Sequence, residues 1–208
     1  MSRLADYRPE RTPLEPGDHL TQPEFHRRYS AYEETKKAEL IEGIVYIGGR
    51  VRVGHGSANA TLAGVTGQYA AGRPGIEGGI HPSVILDDQN EFQPDCVLYR
   101  TGSERSTSIV DGFIHGPPEL VLEAVETFEA IEYYEKKDVY RRSGVAEYLV
   151  WQIYEDRIDW FALDDDGEYQ LLPGDANGVI DSRIFPGLRL DVRAMLAGDL
   201  AKVLAALG

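Results

Sequence analysis

The sequence predicts an α/β (α+β) fold, a mixed β-sheet core flanked by helices. Three observations predict it. Leu120 to Val125 is apolar except at Glu123 and reads as a buried strand. Glu129 to Ser143 then changes to helical spacing, with Ile131, Tyr134 and Lys137 three apart and Gly144 as a stop, and the apolar run Glu147 to Ile153 follows at once. Strand, helix and strand with tight joins make a crossover unit, and the alternating Arg157 to Leu163 adds an antiparallel neighbour across a turn at 154–156.

The remaining elements follow in order. Residues 1–20 are rich in proline and charge and are expected to form an arm, leaving 21–208 as a single domain. Thr21 and Glu24 form a capping-box signature for a short helix over 22–31. Ala38 to Ile47 reads as two short strands around Gly43, and 48–54 as a loop. His55 to Ala71 is a helix of small residues ending at Gly72; Gly64 and Gly67 each weaken it by ~1 kcal/mol relative to Ala. Ile80 to Leu86 is expected as one strand, closed by the 87–90 turn, and Cys96 to Tyr99 as another after Pro94 and Asp95. Gly102 to His115 reads as a polar loop. A turn at 164–167 leads into a strand over 169–172, and Leu196, Leu200, Val203 and Leu207 set a helical spacing over 190–207.

Composition narrows the function. With 208 residues and 42% hydrophobic residues the chain can build a substantial core, and no apolar run approaches the ~20 residues of a membrane span. The N-terminus lacks the apolar centre of a signal peptide, so a cytoplasmic protein is expected. Cys96 stands alone, which excludes an internal disulfide framework and a cysteine zinc site. The net charge of −14 opposes long-range attraction to phosphate backbones, although basic residues gather at 27–28, 36–37, 50–52 and 136–142. Taken alone, those groups read as ordinary solvated faces.

There is no Walker sequence, dinucleotide fingerprint or nucleophile elbow, and the five histidines show no helical pair suited to zinc. His55, at a helix start, reads as structural or capping. What remains is a carboxylate set with one lysine. Asp95 opens one strand and Glu123 sits mid-strand on the face of Val121 and Val125, so adjacent pairing would bring the two together. Two such carboxylates repel unless a hard cation such as Mg2+ lies between them, and Lys136 on the following helix could steady a developing negative charge. The alternative is purely structural: Asp95 as a turn residue and Glu123 in a salt bridge to Lys136 or Lys137.

The series Glu-Leu-Ile-Glu-Gly at 39–43, Pro94-Asp95, Pro117-Pro118-Glu119-Leu120 running into Glu123, then Lys136, Tyr140, Gly144-Val145 and Glu147-Tyr148 resembles the Uma2 family, part of the PD-(D/E)XK nuclease superfamily, from about Thr21 to Val192. The resemblance implies a restriction endonuclease-like fold and a Mg2+-dependent endonuclease, with Mn2+ as a second choice of metal, hydrolysing phosphodiester bonds of nucleic acid, DNA first. It implies Asp95, Glu123 and Glu39 as metal ligands and Lys136 as the lysine of the same catalytic set. The superfamily pattern would place that lysine two residues after Glu123, where Val125 stands. Glu126-Thr127-Phe128 replaces the Ser-Pro segment of many members, and Gln152 an Asp. By analogy with superfamily members that cut two strands, a homodimer is expected. The rival expectation is a catalytically inactive nuclease-fold module that binds a protein partner.

Overall fold

The structure is a computed structural model that describes residues 12–31, 37–102, 107–126 and 131–207. Helix α1 (Gln22–Ala31) precedes the hairpin β1 (Ala38–Ile41) and β2 (Ile44–Ile47), and helix α2 spans Val53–Ala70. Then come β3 (Ile76–Ile80), β4 (Val84–Asp87), β5 (Asn90–Phe92), β6 (Cys96–Arg100), β7 (Ser108–Val110), β8 (Phe113–His115) and β9 (Leu120–Val125). Helix α3 (Ile131–Ser143) leads to β10 (Glu147–Gln152), β11 (Arg157–Leu163), β12 (Tyr169–Leu171), β13 (Val179–Asp181), β14 (Arg189–Asp191), α4 (Val192–Leu196) and α5 (Leu200–Ala205). The expected start of α3 at Glu129 lies outside the described residues.

The strands form a six-stranded sheet in the order β2-β1-β5-β4-β8-β7, a second in the order β12-β11-β10-β9-β6-β3, and the hairpin β13-β14. The crossover unit sits in the second sheet, where β9 and β10 pair in parallel and β10 and β11 antiparallel. Strand alternation divides β9 between two cores. Leu120, Leu122 and Ala124 join α2 residues Leu62, Val65 and Tyr69, while Val121 and Val125 join Val139 and Tyr140 of α3 and Phe92 of the first sheet. Glu123 therefore points into the apolar layer between sheet and helix.

Three expectations are corrected. The single strand over 80–86 is two, β3 and β4, because the chain turns at His81, whose φ is +49°. The loop over 102–115 contains the β7–β8 hairpin, turned at Asp111 and Gly112 with positive φ at both. The helix over 190–207 is strand β14 followed by two short helices, interrupted at Gly198 with φ +72° and restarted by Asp199, whose carboxylate accepts from the Lys202 amide at 3.1 Å.

Candidate active site

Asp95 and Glu123 meet because β6 and β9 are antiparallel with Cys96 opposite Leu122, which one residue further sets Asp95 opposite Glu123. The Asp95 carboxylate is fastened from several sides. Its Oδ2 accepts the backbone N–H of Ala124 at 2.8 Å, and its Oδ1 accepts from Asn59 Nδ2 of α2 at 3.0 Å. The same Oδ1 lies 3.4 Å from His81 Nε2 and 3.7 Å from His55 Nε2. Burial opposes ionisation of Asp95, yet the two imidazoles, the Lys37 charge and the Ala124 amide hold its carboxyl well below the usual range. The neighbouring Asp95 carboxylate, working against burial, raises the His55 imidazole above its ordinary value.

Lys136 reaches the same place from α3. Its Nζ is 2.6 Å from Glu123 Oε1 and 3.0 Å from Glu39 Oε1, and all three side chains are buried. Glu39, on β1, also accepts the backbone N–H of Gln93 at 2.7 Å. The ammonium thus bridges a carboxylate from each sheet. Burial alone would lower the Lys136 pKa, but Glu123 and Glu39 raise it well above the ordinary value, so it stays charged. Burial pushes the Glu123 carboxyl up against the pull of Lys136, whereas Glu39 is held below its ordinary value despite burial by Lys136, Lys37 and the Gln93 amide. Tyr140, one turn beyond Lys136, donates its hydroxyl to Glu123 Oε1 at 2.9 Å. Burial and the neighbouring carboxylates keep that phenol protonated.

All four residues singled out from the sequence line one cavity of about 700 Å3, so the fold brings them together. Sequence reasoning missed His55, His81 and Asn59. No spacing links them to Asp95, since α2 and the turn after β3 converge only in the folded chain. Nor does Asn59 stand out in α2, which also carries His55, Ser57, Thr61, Thr66 and Gln68. The Oδ1 of Asn59 is buried without a hydrogen-bond partner, while its Nδ2 is spent on Asp95. Among the described residues, no group of three or more His, Cys, Asp or Glu side chains is arranged to hold a metal ion. Gln152, at the end of β10, donates instead to Asp159 at 2.8 Å and does not line this cavity.

The family profile of Uma2, described as "Putative restriction endonuclease", matches residues 22–193. A crystal structure from Anabaena variabilis ATCC 29413, titled as a putative nuclease belonging to DUF820, superposes with a TM-score of 0.66 at 11% identity, covering 83% of this chain and 97% of its own. That likeness establishes the fold. No curated protein matches the chain. Among the described residues, no helix is long and apolar enough to cross a membrane.

Proposed function

The chain belongs to the Uma2 family, and on that premise we propose that it is a metal-dependent endonuclease that hydrolyses phosphodiester bonds of nucleic acid, DNA first, in the cytoplasm. The observation that carries this reading is Lys136, a buried ammonium shared between Glu39 and Glu123 in a cavity that also holds Asp95. A charge kept away from water at such cost, beside acids on the wall of an accessible cavity, suits a site that must stabilise new negative charge.

The donor set fits a hard divalent cation. Mg2+ uses oxygen ligands, needs only one or two protein carboxylates, and keeps several waters. Asp95 and Glu123 are those carboxylates in this proposal, with Glu39 as support, and the unsatisfied Asn59 Oδ1 adds another oxygen nearby. When bound, the cation supplies Lewis-acid polarisation of the phosphate and neutralises charge. The chain's own residues do the rest. Lys136 donates to a non-bridging phosphate oxygen as charge grows there, Glu39 keeps the ammonium pointed inward, and Tyr140 fixes the rotamer of Glu123.

Two measurements test this. Thermal melting with millimolar Mg2+ or Mn2+ should raise the Tm relative to EDTA, because a ligand of the native state stabilises by mass action. Cleavage of nucleic acid with Mg2+ should be abolished by Glu123→Ala and by Asp95→Ala. Unchanged turnover in either variant refutes the assignment. No metal response and no cleavage would favour a binding module whose Lys136 ion triad is complete in itself.

A further inference from the structure

Resting on the nuclease reading, we infer that the substrate strand is unpaired: the cavity takes a single strand, a flap or a frayed end, and not an intact duplex. Three observations converge. Asp95, Glu123, Lys136 and Glu39 are all buried, so the reacting phosphate must descend into the cavity to reach them. In a duplex each phosphate is held on a stiff double-stranded cylinder, whereas an unpaired strand can be splayed and led inward one nucleotide at a time.

The second observation is the lip. Val51 lines the cavity and is 70% exposed; Val53, at the start of α2, is 87% exposed. Between them Arg52 donates to Tyr154 Oη at 2.8 Å and to Glu126 at 3.0 Å, which brings the 57%-exposed Tyr154 ring to the same rim. A duplex exterior offers sugar and phosphate, which gain nothing from valine and tyrosine surfaces. Unpaired bases carry apolar π-faces that do.

Charge is the third. The chain carries −14, and among the described residues the cations lining the cavity are Lys37, Arg50 and Lys136, beside the imidazoles of His55 and His81. Duplex DNA presents one charge per ~1.7 Å of axis and a single strand one per ~3.4 Å. A short basic edge on an acidic protein matches the sparser of the two.

The test uses the full chain and one oligonucleotide sequence prepared as an unpaired strand, a blunt duplex and a duplex with an unpaired flap, each as DNA and as RNA. With Mg2+, the unpaired strand and the flap should be cut at least ~10-fold faster than the blunt duplex, equivalent to ~1.4 kcal/mol of preference. Cuts in the flap substrate should fall in its unpaired segment, and the DNA and RNA arms identify the sugar accepted. A blunt duplex cut as fast as the unpaired strand overturns the inference while leaving the nuclease reading intact. If nothing is cut, fluorescence anisotropy with Ca2+ decides: tighter binding of the unpaired strand upholds the strand preference and sinks the nuclease reading, and equal binding sinks both. The uncharged double variant Val51→Ser with Val53→Ser, changed at exposed positions, should weaken unpaired-strand binding about 10-fold through lost apolar contact with the bases. Unchanged binding would remove the lip from the argument and overturn the inference as stated.

Discussion

The backbone amide of Ala124 donates to Asp95 Oδ2 at 2.8 Å, so the residue next to Glu123 in the chain fixes the carboxylate opposite Glu123 in the sheet. The two acids are held in register by a bond that neither could make if β6 and β9 slipped by one residue.

Removing the ammonium should cost more than any other single change in the cavity. Lys136→Met leaves Glu39 and Glu123 buried without their shared cation, and a loss of about 3–5 kcal/mol in urea denaturation at pH 7 is expected. A loss under ~1 kcal/mol would mean that water reaches the pair and that the triad is screened like a surface bridge.

Acid titration should separate Asp95 from Glu123. The Asp95 carboxyl is held below its unfolded value, so its stabilisation is complete above the unfolded pKa of ~3.9 and disappears as pH falls through the folded one. Asp95→Asn should therefore flatten the fall of Tm between pH 5 and pH 2. Glu123 is raised and has the opposite sign, so its charging opposes folding as pH climbs from the unfolded carboxylate range. A Tm profile for Asp95→Asn as steep as that of the unsubstituted chain would contradict the first statement.

Tyr140→Phe removes the hydroxyl that donates to Glu123 Oε1, a bond to a charged acceptor worth about 1.5–3 kcal/mol. If the phenol positions the carboxylate, kcat falls about 10-fold with KM little changed, as for other groups that orient a ligand from behind. Steady-state kinetics on the variant, with stability measured in parallel, separates that outcome from simple loosening of the core.

Gly78 on β3 lies tight against helix α2. A Cβ there would lie 2.6 Å from Thr66 Cγ2 of α2. Gly78→Ala should cost about 1–3 kcal/mol by overpacking. Thr66→Ser, which deletes that methyl and keeps the hydroxyl bonded to the Leu62 carbonyl, should restore most of the loss in a double-mutant cycle.

What the sequence made legible follows the strength of its periodic signal. The unit β9–α3–β10 carried long apolar runs and clear spacing, and Glu123 was conspicuous because a charge interrupted a buried strand. Lys136 was legible from its helix, Asp95 from its place at a strand start. The hairpin β7–β8 was not, because three-residue strands of SIV and FIH are too short to show alternation. That β1, β2, β4 and β5 join β7 and β8 in a sheet of their own escaped for the same reason, since strands of three and four residues carry too little pattern to fix their partners. His81 escaped because its role depends on a left-handed turn, a conformation that histidine itself does not announce. The single helix expected over 190–207 was misread because Leu196, Leu200, Val203 and Leu207 keep helical spacing across the break at Gly198.

Asp95 is touched from helix α2 through Asn59, from the turn after β3 through His81, and from β9 through an amide. On the proposed assignment of Asp95 as a metal-binding acid, one side chain would work as an inspection point for the elements that meet there: a copy whose pieces are assembled out of true would have no competent acid to offer, so mistakes in folding would yield silent protein instead of stray cutting.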